Sequence, residues 1–401
     1  MTEVFTGAFT QQEPIPEDGI EAAVAVMRGG RLHRYNTVGD EIAEAALLEE
    51  EFAAYVGAKY CLAVASGGYS MTTALRACGV GQGDAVLTNA FTLAPVPGAI
   101  AAVGARPIYV EVTEDLVIDL DDLAAKIDQA SVLLLSHMRG HICDMDALMA
   151  LCDAHGVTVI EDCAHTMGAT WNGVQSGRFG KFGCYSTQTY KHMNSGEGGL
   201  LITDDAEAVV RAIMLSGSYM LFERHRAAPP PEVFADLKYT TPNISGRMDN
   251  LRAAILRPQL SDLQAQCDRW NERYRVVEDG LRDTPGLRLI QRPEKEGFVA
   301  SSFQFLLLDW GQEAISKVMS RCAARGVELK WFGGAEPVGF TSRYDSWRYA
   351  ECPKMPKTDR ILNGIIDMRL PLTFSLEDCA LIARIIRAEV GSVWQSGAAA
   401  A

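Results

Sequence analysis

Two side chains in this sequence have types and a spacing that suit one kind of chemistry. Lys191 lies in the run Ser186-Thr-Gln-Thr-Tyr-Lys191-His-Met-Asn-Ser-Gly196-Glu-Gly-Gly199, and Asp162 closes the apolar run Val157-Thr-Val-Ile-Glu161. A lysine on a glycine-rich turn can condense with an aldehyde cofactor as a Schiff base. A carboxylate facing the cofactor's pyridine nitrogen keeps that nitrogen protonated. Such a pair is the recurring protein contribution to pyridoxal phosphate (PLP) chemistry. Taken alone, the lysine could equally be a surface residue, where most lysines sit, and the carboxylate could cap the helix that follows.

PLP also needs a phosphate cradle and packing on its ring. Ser66-Gly67-Gly68-Tyr69-Ser70 joins an apolar strand to a helix start, where free N–H groups and the helix dipole favour a phosphate. Ser186 offers a hydroxyl beside the lysine loop. Asn243, in Thr241-Pro-Asn243-Ile-Ser-Gly-Arg247, offers another donor or simply forms a turn. His165, one turn past Asp162, can meet the ring's phenolic oxygen or its face. Glu161 alternates to the other side of the strand and reads as structural.

The bulk composition narrows the partners. A chain of 401 residues with 48% hydrophobic and 22% charged content is that of a globular protein of two or three domains. Its net charge of −14 argues against a nucleic acid or an anionic membrane as partner. The N-terminus lacks the basic-then-apolar pattern of a secretory signal. The longest small-apolar stretch, Ala94 to Ala105, is broken by Pro95, Pro97, Gly98 and Gly104 and is too short to span a bilayer. Ten cysteines without a CxxC pair suggest reduced thiols in the cytoplasm, with no zinc site or disulfide frame.

These residues need elements to position them. Ile42 to Tyr55 reads as an amphipathic helix, Tyr60 to Ser66 as a buried strand and Ser70 to Cys78 as a helix, followed by a turn at 79–84. Apolar runs recur at 85–88, 107–112, 132–135, 157–161 and 200–203, with helices between them, among them 144–155. Strands that are apolar throughout and separated by helices imply a mainly parallel sheet covered on both faces. Ligands on such sheets bind beyond the strands' carboxyl ends, where Ser66 and Asp162 fall. A surface loop is marked by Ala227-Ala-Pro-Pro-Pro231, and 247–281 reads as a long helix bridging to a second region. That region, 287–386, reads as α+β, with strands near 303–308 and 327–331 and a closing helix from Leu376. The expected division is an N-terminal segment (1–39), a cofactor-binding large domain (40–260), a small C-terminal domain (261–395) and a frayed tail (396–401).

The whole set resembles the DegT-type sugar aminotransferases, a fold-type I PLP family. The likeness runs from about Arg34 to Ile386. It is carried by Ser66-Gly-Gly…Gly79-Val-Gly-Gln-Gly-Asp84, Gly104-Ala-Arg-Pro-Ile, Asp144-Met-Asp146, Glu161-Asp-Cys-Ala-His165-Thr-Met-Gly168, Gly180-Lys-Phe-Gly183-Cys-Tyr-Ser186, Lys191…Gly199 and Arg247-Met…Ala253-Ala254. It implies an α/β fold: a seven-stranded, mainly parallel sheet with helices on both faces and a smaller α+β C-terminal domain. It implies that Lys191 holds PLP, that Asp162 pairs with the ring nitrogen and that His165 lies beside the ring oxygen. Phosphate contacts fall to the amides of Gly68 and Tyr69, to Ser186, and to Asn243 from the neighbouring subunit of a homodimer with shared active sites.

Three positions depart from the family pattern. Gly68 stands where a threonine is usual, and Asn243 and Arg247 are further apart than the usual Asn-x-Arg. Leu93 stands where an aromatic residue stacks on the ring, with Phe91 the alternative. The implied reaction is amino transfer from L-glutamate or L-glutamine to a keto-sugar, cyclitol or sugar-acid acceptor. Sugar dehydration, aldol cleavage and a non-catalytic regulatory role are the alternatives. Candidate substrate-facing residues are Arg139 and His141 after the fourth strand, His192 beside the lysine, and Lys330 and Trp331 in the second domain, where Arg343 to Trp347 forms a further loop.

Overall fold

The computed structural model describes residues 3–397. Its N-terminal part runs α1 (Glu17–Gly29), α2 (Glu44–Val56), β1 (Tyr60–Val64), α3 (Gly67–Ala77), β2 (Ala85–Asn89), α4 (Pro95–Ala102), β3 (Arg106–Val110), α5 (Leu120–Lys126), β4 (Val132–Ser136), α6 (Met145–Ala154) and β5 (Thr158–Asp162). A short β6–β7 hairpin (Thr170–Trp171, Val174–Gln175) leads to β8 (Phe182–Ser186), β9 (Gly199–Thr203), α7 (Ala206–Ser216) and α8 (Leu237–Thr240). The C-terminal part follows as α9 (Asn250–Leu281), β10 (Arg288–Leu289), β11 (Glu296–Gly297), β12 (Ser302–Leu306), α10 (Gln312–Ala324), β13 (Lys330–Trp331), α11 (Pro356–Gly364), β14 (Ile365–Arg369) and α12 (Leu376–Gln395).

Seven strands form the main sheet in the order β1-β9-β8-β5-β4-β2-β3, with only β9 antiparallel to its neighbours. Alternation along each strand explains why both faces are apolar. Leu133 and Val159 point into one core with Leu48, Phe52, Leu148 and Leu256. Leu134 and Ile160 point into the other with Leu75, Ile100 and Ile213. The helices of the two faces thereby hold the sheet as a rigid middle layer. The carboxyl ends of β1, β4, β5 and β8 emerge on one side, bringing Ser66, Arg139, Asp162 and Ser186 together.

α9 is capped by the Asp249 carboxylate, which accepts from the Arg252 N–H at 2.9 Å. It packs on α1 and α2 as well as on α12, tying the two parts of the chain together. The smaller part is an antiparallel sheet, β10-β12-β14-β13, whose Phe303, Phe305, Ile366 and Met368 meet Ile382 and Ile386 of α12. Phe5 and Phe9 join this same core, packing edge-on against Phe374. A smaller third sheet pairs β11 with β6, a second tie between the parts.

The seven-stranded sheet and smaller C-terminal domain match the expectation. α1, β8 and β14 are additions to it. β8 carries Gly183 and a cysteine in its interior, and β14 follows α11 without a turn, so neither has the usual strand punctuation. The strand expected over 327–331 shortens to Lys330–Trp331. The tail expected from Ser396 lies outside the described residues after Gly397. Among the described residues no helix is long and apolar enough to cross a membrane.

Candidate active site

Asp162 is the last residue of β5 and is 8% exposed. Its Oδ2 accepts from the Ser136 hydroxyl at 3.0 Å, and its Oδ1 accepts from the Ala164 N–H at 3.1 Å. Ser136 ends the neighbouring strand β4 and is itself fixed. The Asn89 side chain brackets its backbone (2.9 and 3.0 Å), and the Thr92 hydroxyl donates to its Oγ at 2.8 Å. Burial raises the Asp162 pKa, against the opposing pull of Lys191 and of these hydrogen bonds. A carboxyl in that condition gains from a cation placed against it.

Lys191 sits in a loop closed by Thr187 N–H to Gly198 C=O (3.0 Å) and Thr189 N–H to Gly196 C=O (3.2 Å). Gly199 then passes so close to β1 that a Cβ there would lie 2.4 Å from the Ser66 carbonyl oxygen. The Lys191 amine is lowered to about 7, chiefly by burial; Asp162 opposes this, and Arg139 and Arg369 add to it. Its Nζ lies 2.7 Å from His165 Nε2. His165 Nδ1 accepts from the Arg139 N–H at 3.2 Å, which puts the neutral ring's proton on Nε2. Burial, then Lys191 and Arg139, hold His165 well below its ordinary pKa. An Nε2–H beside Nζ needs a lone pair, and only the neutral amine has one. The geometry therefore favours the nucleophilic form of Lys191.

One cavity of about 610 Å³ is lined by Lys191, Asp162, His165, Ser186, Leu93 and Arg139, together with Ser66, Gly67 and Gly68. The residues fit PLP. The first amides of α3 have no intrahelical acceptor, and a Cβ at Gly67 would meet Ser186 Cβ at 2.8 Å, filling the space where a phosphate would approach both. The Tyr69 N–H is taken by Ser66 Oγ at 3.1 Å, so the free helix-start amides are those of Gly67 and Gly68 rather than Gly68 and Tyr69.

Other candidates are placed differently from the expectation. Phe91 is 1% exposed and edge-on to Phe332, inside a core cluster, so Leu93 is the residue that lines the cavity. His141 is buried with Nε2 against Gln304 Oε1 at 2.9 Å, and His192 packs on Trp270 with burial pushing it down to about 3. Trp331 donates to the Asn363 carbonyl at 2.8 Å and joins the small-domain core. None of these three lines the cavity; their side chains meet Gln304, Trp270 and the Asn363 carbonyl instead. Asn243 is exposed, its Oδ1 accepting from the Ser245 N–H at 3.1 Å, and it does not line the cavity of its own chain. Lys330 does not line the cavity; its Nζ lies 4.0 Å from Asp367.

Residues the sequence reading passed over include Ser136, Thr92 and Asn89 behind Asp162, and Tyr190, Arg369 and Phe340 on the cavity wall. A tyrosine adjoining the lysine was the one available signal. His137, Glu161 and Cys163 also cluster, but Glu161 already accepts from the N–H groups of Gly177, Phe179 and Gly180 at 2.8–2.9 Å. It is a structural anchor, as its alternation suggested.

A lysine amine and a buried carboxyl on one cavity, beyond the carboxyl ends of a mainly parallel sheet, define a PLP-type site on an α/β fold. The chain belongs to the DegT/DnrJ/EryC1/StrS aminotransferase family, whose model matches residues 15–387. It is 31% identical over 259 residues to the L-glutamine:2-deoxy-scyllo-inosose aminotransferase of Streptomyces lividus, covering 63% of this chain and 60% of that one. It is 32% identical over 271 residues to the pleiotropic regulatory protein of Geobacillus stearothermophilus, covering 66% of each. The matches thus span about two thirds or less of these relatives' length. The crystal structure of 3-amino-5-hydroxybenzoic acid synthase superposes with a TM-score of 0.82 at 24% identity, covering 98% of this chain and 100% of that one.

Proposed function

We propose that this chain is a PLP-dependent aminotransferase that takes an amino group from L-glutamine or L-glutamate and delivers it to the ketone or aldehyde of a sugar or cyclitol. The observation that carries the reading is the pairing of a depressed-pKa amine at Lys191 with the buried carboxyl of Asp162 on one cavity. Lys191 would hold the cofactor's aldehyde, Asp162 its ring nitrogen, and Ser186 with the Gly67 and Gly68 amides its phosphate. When bound, PLP supplies an electron sink for the carbon that loses its proton.

The rest falls to the chain's own groups. Once displaced by the donor's amine, Lys191 Nζ is a base matched to neutral pH and positioned to carry that proton. His165 holds Nζ through Nε2, and the Ser136–Thr92 pair holds the carboxylate that keeps the sink charged. Leu93 packs without competing polar groups. The working unit is a cytoplasmic homodimer, with Asn243 reaching the neighbouring subunit's phosphate. The similarity to a scyllo-inosose aminotransferase supports a cyclitol or sugar acceptor and L-glutamine as donor.

The test is a single-turnover spectrum of the PLP-loaded protein. L-glutamine should convert the pyridoxal band to the pyridoxamine band with release of the keto acid, and 2-deoxy-scyllo-inosose or a keto-sugar should restore it. A loaded protein whose spectrum no amino donor changes refutes the reading.

A further inference from the structure

We propose that Ser302 recognises the amino acceptor by donating a hydrogen bond to one of its ring hydroxyls. The inference deepens the aminotransferase reading and rests on it. What carries it is a buried run of hydrogen bonds whose direction is fixed and which leaves the Ser302 proton free on the wall of the Lys191 cavity.

Strand alternation sets the arrangement. Phe303 and Phe305 of β12, with Ile366 and Met368 of β14, point into the small-domain core. Ser302 and Gln304 take the other face, opposite Arg369 and Asp367 in the antiparallel register. On that face Gln304 meets His141 of the N-terminal part. Ser302 is 7% exposed and lines the cavity, while Gln304 and Asp367 are buried behind it.

The direction of the run is set at Asp367. Its Oδ2 is paired with Arg139 Nη2 at 2.9 Å, and its Oδ1 lies 2.8 Å from Gln304 Nε2. A carboxylate only accepts, so the amide nitrogen of Gln304 must face it. The flipped amide would set two acceptors against each other. The Gln304 oxygen therefore faces His141 Nε2 at 2.9 Å, and that nitrogen carries the proton. Burial, then Arg292, holds His141 well below its ordinary pKa, consistent with a neutral ring that donates from Nε2. The second Gln304 N–H is spent on Ser302 Oγ at 2.8 Å.

Ser302 Oγ is thus the acceptor toward Gln304, and its own proton points elsewhere. Among the described residues this hydroxyl donates to no protein group, and the space it borders is the cavity. A serine hydroxyl ordinarily rotates between donor and acceptor roles; here the acceptor role is already taken. Ser301 and Ser342 line the same cavity, and neither side chain is hydrogen-bonded among the described residues. Three hydroxyls on one cavity suit a neutral ligand that is itself rich in hydroxyls. A donor held in place also rejects an analogue that lacks the matching oxygen. His141, Gln304 and Asp367 do not line the cavity and are positioning residues.

The test uses single turnovers of the pyridoxamine form with a cyclitol or keto-sugar that reoxidises the wild-type protein. At subsaturating acceptor, Ser302→Ala should slow reoxidation about five- to tenfold, as for loss of one neutral hydrogen bond. Ser302→Cys, which keeps the side chain's shape but is a weak donor, should show the same loss. Conversion of the PLP form by L-glutamine should stay within twofold in both variants, which also shows that they are folded and loaded. Monodeoxy analogues of the acceptor complete the cycle. One of them should be about five- to tenfold slower than its parent in wild type, and within twofold of it in Ser302→Ala.

Variants that match wild type, an equal loss with L-glutamine, or deoxygenation penalties that persist in Ser302→Ala overturn the proposal while leaving the aminotransferase reading intact. A wild-type pyridoxamine form that no cyclitol or keto-sugar reoxidises sinks that reading, and this inference with it.

Discussion

The Lys191 amine should behave as a free base at neutral pH. An ordinary lysine is neutral to roughly one part in 3,000 at pH 7. Lys191, lowered to about 7, is about half neutral there. In cofactor-free protein, brief labelling with trinitrobenzenesulfonate, read by peptide mass spectrometry, should therefore mark Lys191 ahead of the exposed lysines. Its rate should inflect near pH 7. The His165 Nε2–H contact at 2.7 Å favours the neutral amine, and such a bond is worth about 1 kcal/mol. His165→Leu should accordingly move the inflection up by about one pH unit. The sign extends to stability. A lysine lowered from 10.5 to about 7 binds fewer protons folded than unfolded between those values. Unfolding free energy should rise with pH across that window, and Lys191→Met should flatten the rise. An inflection above pH 9, or no preference for Lys191, would refute the argument.

Ser136→Ala removes the hydroxyl donor to Asp162 Oδ2 and should weaken PLP binding about tenfold, measured by cofactor titration; unchanged affinity would show that Ser136 does not position the carboxylate. Gly67→Ala puts a Cβ 2.8 Å from Ser186 Cβ and should lower stability by about 1–3 kcal/mol in urea melts while raising the Kd for PLP. Glu49 is fully buried, paired with Arg34 at 2.7 Å and His225 at 3.1 Å, and these partners outweigh burial to hold it down at about 2. Its folded pKa is depressed, so its contribution is present above the ordinary glutamate value and lost as pH falls toward 2. Glu49→Ala should cost about 3–5 kcal/mol at pH 7, and equal stability of the two proteins would contradict the role assigned to the pair.

The parts of this site legible in the sequence were those with a chemical signature tied to local pattern. Lys191 stood in a glycine-rich turn, and Asp162 at the end of a run apolar on both faces. Ser136, Thr92 and Asn89 had no such mark, because their work is done across strand ends that only the parallel pairing of β2, β4 and β5 brings together. Arg369 was hidden with its strand, since α11 runs into β14 without a break. The errors have one physical cause. His141, His192, Trp331 and Phe91 lie near candidate site residues in sequence, but their side chains turn to Gln304, Trp270, the Asn363 carbonyl and Phe332 rather than to the cavity.

The most direct measurement is to reduce the PLP-loaded protein with borohydride and map the modified peptide. The account predicts a phosphopyridoxyl group on Lys191 alone, and no visible cofactor band in Lys191→Ala. Label on any other lysine, or a band that survives in Lys191→Ala, would contradict it.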